Sequence, residues 1–176
     1  MTPGQDPYVA FLDDAVRRSA AEARERDRWD RLADAESTTW QGVLTALAEA
    51  GTPLVVAAGG TRFRGCLDLV GNDVVVLRAP TARGVSFVAL AEVTSVSVTG
   101  RRHVADVAEG VVADRCLLEV LEEEVAVGDE VTAWTRDGAR HTGVLRLLGE
   151  DVVMLRCGDA IRYLAAGALV AVTRAD

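Results

Sequence analysis

A 14-residue segment that occurs twice constrains the fold of this chain more than any other feature. Gly65–Arg78 aligns without gaps with Gly143–Arg156, and nine of the 14 positions are identical. After a two-residue deletion the likeness continues, with Phe87-Val-Ala over Tyr163-Leu-Ala. Self-similarity of this kind indicates two copies of one structural unit. Two copies are too few for a solenoid, so we expect each copy to close on itself.

Short β-branched runs separated by turn residues give each copy the pattern of antiparallel strands. Residues 62–69 alternate between polar and apolar side chains, which is typical of a strand with one buried face. The Gly-Asn-Asp sequence at residues 71–73 predicts a tight turn. Val74–Leu77 and Val152–Leu155 are apolar on both faces, and such strands are buried on both faces. The outer face of each needs a cover: the preceding helix, the sister copy or another chain.

Three segments have the apolar spacing of helices, namely residues 6–35, 37–50 and 113–125. In the first, Asp6 and Pro7 form a helix start signal. An apolar stripe follows, with Tyr8, Phe11 and Leu12 as its large members. The rest of this segment carries opposite charges four positions apart, which is typical of a solvated helix. We expect this helix to project from the body and to dock a partner or its own twin.

Charge limits the classes of partner. The chain has a net charge of −8 and no lysine, so all 19 basic residues are arginine. That bias is typical of a GC-rich genome, and we expect a high-GC bacterial source. An acidic protein is repelled by phosphate backbones unless its basic residues are concentrated locally. The strand segments are close to neutral, with four Arg against three acids in residues 51–100 and six against seven in residues 127–176, which weakens this repulsion without reversing it.

The N-terminus and the cysteines indicate a cytoplasmic protein. The sequence from Met1 has no basic region followed by an apolar run, so it predicts no signal peptide. No stretch approaches the ~18 continuous apolar residues of a membrane span, so we expect no membrane partner. Cys66, Cys116 and Cys157 are scattered and odd in number, which predicts reduced thiols rather than a disulfide framework or a metal pair.

No group of side chains predicts catalysis. The two histidines, His103 and His141, have no second ligand at metal-binding spacing, and no cysteine stands near them in the pattern of a nucleophile. Gly-Gly-Thr at residues 59–61 precedes a predicted strand rather than a helix, so it predicts a hairpin turn and not a phosphate loop. We therefore expect no enzyme, no metal, no cofactor and no small-molecule substrate.

Both copies of the repeat carry the pattern G-x-L-x-x-x-G-x-D-x-V-x-L, and each follows a predicted helix. This combination resembles the Sm/LSm-like fold, an SH3-like small β-barrel of five curved strands. The resemblance covers roughly residues 37–98 and 113–174. It implies two tandem copies of that fold. In the family, residues near the turn also help to form a nucleobase pocket.

The pocket residues of that family are matched only in part. Asp73 and Asp151 keep the acidic position near the turn, although their recurrence in one turn also favours turn capping. Val-Val follows each of them, where the family has Met-Asn. Ala91-Glu92 and Gly167-Ala168 stand where the family has Arg-Gly. The resemblance therefore implies the fold without carrying the RNA pocket onto this chain.

The combined prediction is a mainly β protein with helices (α+β). It consists of two tandem Sm-like five-stranded barrels, each preceded by a helix, and a charged N-terminal helix. The expected boundaries are residues 1–36 for the N-terminal helix, 37–100 for the first barrel with its helix, 101–112 for a linker, and 113–176 for the second barrel with its helix.

Two functions follow from this architecture. The first is a non-enzymatic cytoplasmic interaction or scaffold protein that self-associates or binds a protein partner. Its predicted interface is apolar and consists of Tyr8, Phe11, Leu12, Val74, Val76, Val152 and Met154. The alternative is an Sm-like RNA-binding protein, in which outward arginines of the barrels contact the nucleic acid. Those arginines are Arg62, Arg64, Arg140 and Arg146.

Overall fold

The alternating segments of the sequence form short antiparallel strands, most of them joined by tight turns. The computed structural model describes residues 39–79, 84–98 and 112–174. The helices are α1 (Trp40–Glu49) and α2 (Leu117–Glu124). The strands are β1 (Pro53–Ala58), β2 (Thr61–Val70), β3 (Val74–Arg78), β4 (Val85–Ala89), β5 (Val93–Val98), β6 (Glu130–Thr135), β7 (Arg140–Leu148), β8 (Val152–Cys157), β9 (Ala160–Ala165) and β10 (Leu169–Arg174). Single 3-10 turns, Leu90–Glu92 and Ala166–Ala168, join β4 to β5 and β9 to β10.

All ten strands belong to one antiparallel sheet in the order β5-β1-β2-β3-β4-β10-β6-β7-β8-β9. The predicted fold class, two five-stranded Sm-like barrels with three helices, is therefore wrong. Strand β4 pairs with β10 instead of with β5, so neither half closes on itself and the sheet stays open. Two helices are present in the described ranges, and the predicted N-terminal helix at residues 6–35 lies outside them.

The composition of the strands explains why β4 pairs with β10. Strand β10 begins Leu169-Val-Ala-Val and is buried along that run. A strand that is apolar on both faces is stable in the middle of a sheet. Strand β5 alternates valine with threonine and serine and is largely exposed, which suits a sheet edge. Pairing β4 with β10 therefore buries more apolar surface than pairing it with β5.

The order of strands in the first half recurs in the second, as β5-β1-β2-β3-β4 and then β10-β6-β7-β8-β9. The β2–β3 ladder places Leu67 opposite Leu77, and the β7–β8 ladder places Leu145 opposite Leu155. Each ladder has a register irregularity immediately after these pairs. Positions 78 residues apart in these ladders therefore have equivalent neighbours.

Strand β3 lies between two apolar cores. Val75 and Leu77 belong to a core that α1, β1 and β2 complete. Val74 and Val76 belong to a second core, formed with α2 and with strands of the second half. All four side chains are at most 2% exposed. The prediction that such strands are buried on both faces is confirmed for β3, whose outer cover is α2 together with the second half of the chain. It is wrong for β8, where Val152 and Met154 are only half-buried.

Helices α1 and α2 lie inside the predicted segments 37–50 and 113–125. In α1, Leu44 and Leu47 form the buried face, and Gly51 follows with a positive φ of 56° that a helix-ending glycine adopts readily. In α2 the backbone N–H of Cys116 donates to Oε2 of Glu119 at 2.9 Å, which satisfies one donor at the helix start. Within the described residues, neither helix has the length and hydropathy that crossing a bilayer requires.

Candidate interaction surface

Two strands of the described sheet have a neighbour on one side only. Strand β9 pairs with β8, and β5 pairs with β1. Along β9 most side chains are exposed, and Ile161 and Tyr163 are 44% and 70% exposed. An edge strand presents unpaired N–H and C=O groups that can accept another strand. The β9 edge is therefore a place where an additional strand can bind.

A row of apolar side chains crosses the sheet at this edge. Leu147 of β7 lies opposite Met154 of β8, and Met154 lies opposite Tyr163 of β9. We call these three residues the surface row. Leu147 is 46% exposed, and Met154 is half-buried. Large adjoining apolar side chains on a surface mark interaction sites more often than isolated ones do.

The equivalent row in the first half is covered. Leu69, Val76 and Phe87 occupy the same ladder positions on β2, β3 and β4, and we call them the covered row. Val76 is 2% exposed and Phe87 is 0% exposed. Both lie in the core that contains Leu117 and Val120 of α2. The two rows have the same place in the strand order and differ in what lies on top of them.

The turn before β3 holds the start of α2. The backbone N–H of Leu117 donates to Oδ1 of Asp73 at 2.7 Å, so Asp73 accepts from the first turn of the helix. The neighbouring Asn72 donates from Nδ2 to Oδ1 of Asp114 at 2.8 Å, and its backbone N–H donates to the carbonyl of Arg115 at 2.9 Å. Asp73 thus contributes to the contact between the two halves. The recurrence of this aspartate predicted that its carboxylate caps its own turn. The carboxylate instead accepts a hydrogen bond from the start of α2.

Asp151 occupies the matching turn before β8. It is exposed, and its carbonyl accepts from the N–H of Ala166 at 2.8 Å, as the Asp73 carbonyl accepts from Leu90 at 2.7 Å. Within residues 39–79, 84–98 and 112–174, its carboxylate makes no hydrogen bond. The backbone hydrogen bonds of the two turns are therefore alike, whereas only the Asp73 carboxylate has a hydrogen-bond partner in the described residues.

The structure separates the apolar residues that the sequence predicts as an interface. Val74 and Val76 are buried beneath α2. Val152 and Met154 are half-buried on one face of β8, and Met154 is itself a member of the surface row. The remaining members, Tyr8, Phe11 and Leu12, lie outside the described residues. Sequence reasoning missed Leu147 and Tyr163. The sequence signal for this exposed surface is Tyr163, which is more polar than Phe87 at the equivalent position of the first copy.

The four arginines predicted to contact RNA lie on two strands that are not neighbours in the sheet order, although the Phe63 ring between Arg62 and Arg64 lies 5.3 Å from the Trp134 ring. Arg62 and Arg64 are on β2, Arg140 and Arg146 are on β7, and the sheet order places four strands between them. All four are exposed, and none forms an ion pair with a carboxylate in the part of the chain that the structure describes. The guanidinium carbon of Arg140 lies 5.7 Å from the centre of the Trp134 ring, which is a cation–π distance.

Titratable groups do not converge on a reactive centre in the described ranges. No group of three or more His, Cys, Asp or Glu residues there could hold a metal. Partial desolvation by neighbouring atoms raises the pKa of the exposed Cys116 thiol, and Asp73, Glu119 and Asp114 raise it further, so the thiol stays protonated at neutral pH. A groove between α1 and β2 contains Asp68, but its carboxylate already binds the guanidinium of Arg78 at 2.7 Å.

A hydrogen bond from the Thr135 hydroxyl to Asp137, at 2.6 Å, lowers the pKa of that carboxyl in the β6–β7 turn. The backbone N–H of Ala139 also donates to it, at 3.2 Å. Hydrogen bonds to the charged form favour ionisation, so the turn geometry is the main cause of this lowered pKa, and the nearby His141 lowers it further. It marks a stabilised hairpin and not a catalytic acid.

No protein-family model matches this chain, and no curated protein matches it.

Proposed function

We propose that this chain is a non-enzymatic interaction protein that binds another protein segment along the open β9 edge. The observation that carries the proposal is the surface row, in which Leu147 and Tyr163 remain exposed beside a half-buried Met154. The covered row shows how the same arrangement packs when a partner element is present. A scaffold role follows, since a chain with such an edge can hold a second protein.

The chemistry of the edge favours an extended segment as the ligand. Adding a strand supplies backbone hydrogen bonds along β9, and side-chain pockets on the adjoining face supply specificity. Natural proteins protect free edges with prolines, bulges or charges. Strand β9 carries one charged residue, Arg162, and no proline. Its alternate residues Ile161 and Tyr163 leave an apolar surface that a partner would bury.

We further propose that the two halves arose by duplication of one unit related to the Sm/LSm-like proteins. The shared 14-residue segment and the recurring strand order support this origin. We also propose a cytoplasmic location, which the scattered and odd-numbered cysteines favour. Fold kinship gives no function by itself, so the interaction role rests on the surface row.

Photo-crosslinking at position 163 tests this function. The full chain, carrying p-benzoyl-phenylalanine in place of Tyr163, is expressed in cells of its source organism and irradiated. We expect a covalent adduct with a protein, because the side chain at this position would lie under the bound segment. The control carries the same amino acid in place of Val127, which is 67% exposed in the turn before β6. Absence of a protein adduct specific to position 163 would overturn the proposal.

RNA binding is the second candidate function. The observation that favours it is the set of exposed arginines Arg62, Arg64, Arg140 and Arg146, which form no ion pair with a carboxylate in the described sheet. The net charge of −8 opposes it. We expect no binding to labelled oligo-U or oligo-A RNA by fluorescence anisotropy, even at low salt where charge attraction is strongest. Salt-sensitive binding that Arg62→Ala with Arg140→Ala abolishes would establish the RNA function instead.

A further inference from the structure

We propose that the protein segment bound at the β9 edge is acidic and amphipathic, with apolar side chains that cover the surface row and carboxylates that meet Arg146 and Arg156. The inference rests on the proposed function, because it names the chemistry of the partner at the same surface. Two features of the described residues carry it. One is the charge beside the surface row, and the other is the way in which the covered row is filled.

The strands that bear the surface row carry positive charge only. Strands β7, β8 and β9 together contain four arginines and no aspartate or glutamate. Two of these, Arg146 and Arg156, are exposed, and we call them the arginine pair. Within the residues that the structure describes, neither forms an ion pair with a carboxylate. The chain as a whole has a net charge of −8, so this positive surface is local and favours a negatively charged partner.

The repeat indicates that the two members of the arginine pair lie within reach of each other. They are equivalent to Asp68 and Arg78 of the first half. Asp68 and Arg146 both stand at the irregularity of their ladders, and the Asp68 carboxylate binds the Arg78 guanidinium at 2.7 Å. The second half thus has two like charges where the first half has an ion pair. Like charges repel, and a carboxylate placed between them is attracted by both.

The covered row shows which kind of segment fits over such a face. Leu117 and Val120 of α2 are buried in the core that contains the covered row. The last residue of this helix, Glu124, binds Arg78 at 3.2 Å, and four of the eight residues of α2 are glutamate. An acidic helix with an apolar face therefore covers the equivalent surface inside the chain, and one of its carboxylates binds the equivalent arginine.

A partner segment of the same kind matches the second half. Its apolar side chains would bury Leu147 and Tyr163, which are 46% and 70% exposed. Arg156 follows Met154 by two positions and therefore points to the same face of β8, so carboxylates over the surface row can reach it. A basic or uncharged segment would leave two like charges without a counterion beneath it, which disfavours such partners.

The surface row also favours a peptide over a nucleic acid, although phosphate groups bind arginine as well. Proteins hold single strands by stacking the bases on aromatic side chains. Two of the three members of the surface row, Leu147 and Met154, are aliphatic. They bury the apolar side chains of a peptide and provide no stacking surface for bases.

Selection from a displayed library of random peptides tests the chemistry of the partner. The full chain is the immobilised target, and the Tyr163→Arg variant serves to remove peptides that bind elsewhere. We expect the enriched peptides to combine Asp or Glu with large apolar residues, because these match the arginine pair and the surface row. Enrichment of basic or uncharged peptides overturns the inference.

Substitution of the arginine pair tests which side chains bind the carboxylates. Isothermal titration calorimetry compares one selected peptide on the wild type and on the variant with both Arg146→Gln and Arg156→Gln. We expect roughly tenfold weaker binding or more, and a smaller dependence on salt in the variant. The control, Val127→Asp, lowers the net charge at a position that is 67% exposed in the turn before β6, and it should leave binding unchanged. Circular dichroism checks that each variant is folded, and an equal loss of affinity in the control contradicts the inference.

The outcomes separate this inference from the proposed function. Acidic peptides that require both Tyr163 and the arginine pair support it. Peptides of other charge that still require Tyr163 overturn it and leave the interaction function in place. Dimers that Tyr163→Arg dissociates in sedimentation velocity, or binding of labelled oligo-U RNA that the double substitution abolishes, also overturn it, because a second copy or a nucleic acid is then the partner. Absence of any enriched peptide, together with absence of an adduct at position 163 in cells, overturns the interaction function as well.

Discussion

Replacing Phe87 with alanine is expected to lower the free energy of unfolding by about 3–5 kcal/mol. The ring is 0% exposed and lies in the core that joins β3 and β4 to α2 and the second half. Its removal leaves a cavity at the place where the two halves meet, and β3 and β10 on either side of β4 are held by their ladders and cannot move in to fill it. Urea unfolding followed by circular dichroism measures the change.

Tyr163→Ala is the matched control, because residues 87 and 163 have equivalent positions in their ladders. We expect this substitution to change the unfolding free energy by less than about 0.5 kcal/mol. The side chain is 70% exposed, so little packing is lost. Equal destabilisation by the two substitutions would contradict the assignment of one row as covered and the other as open.

Gly143→Ala is expected to destabilise the chain by about 1–3 kcal/mol. A Cβ at this position would lie 2.5 Å from the carbonyl oxygen of Arg156 on the neighbouring strand. Backbone atoms of a paired strand cannot move aside without disturbing the ladder. Gly65 has the equivalent close approach, with a Cβ at 2.6 Å from the carbonyl oxygen of Arg78, and should respond in the same way. Thermal and urea unfolding measure both variants.

The control for these glycines is Gly167→Ala, in the turn between β9 and β10. A Cβ there meets nothing within 4 Å. We expect its unfolding free energy to stay within about 0.5 kcal/mol of the wild type. A tolerant Gly143→Ala variant would mean that β7 and β8 approach less closely than the structure has them.

Local patterns predicted the elements of this fold well. The period of two in residues 62–69 and the apolar spacing in residues 37–50 depend on contacts within a few positions, and a strand and a helix lie there. The apolar composition of Val74–Leu77 predicted a strand there, although the burial of both its faces also depends on α2. These signals are local, so a single sequence contains them.

The pairing of β4 with β10 could not be predicted from local sequence patterns. A repeat shows that two units are equivalent. Because both units have the same kinds of edge strand, the fourth strand of one can pair either with its own fifth strand or with the fifth strand of the other unit. The choice depends on the free energy of burying β10 in the middle of the sheet, which is a property of strands far apart in sequence. The difference in polarity between β5 and β10 is visible in the sequence, and it favours β10 as the interior strand.

The candidate surface was predicted in part for the same reason. Val74, Val76, Val152 and Met154 look alike in sequence, since each is an apolar residue on the outer face of a doubly apolar strand. Only the position of α2 distinguishes the first pair, which it covers, from the second. The function of Asp73 was also hidden, because its hydrogen-bond partner Leu117 is 44 positions away.

The position of β10 has a consequence for how the chain is made. Of the ten described strands, β10 is the last to be synthesised, and its residues 169–174 complete the hydrogen bonding of both β4 and β6. Until they leave the ribosome, the first half has an unpaired apolar strand at its edge. Contacts between segments this far apart in sequence form slowly, and exposed edges on incomplete chains aggregate. Completion of the described sheet therefore waits for β10, and the interval before β10 pairs is when these strands most need protection.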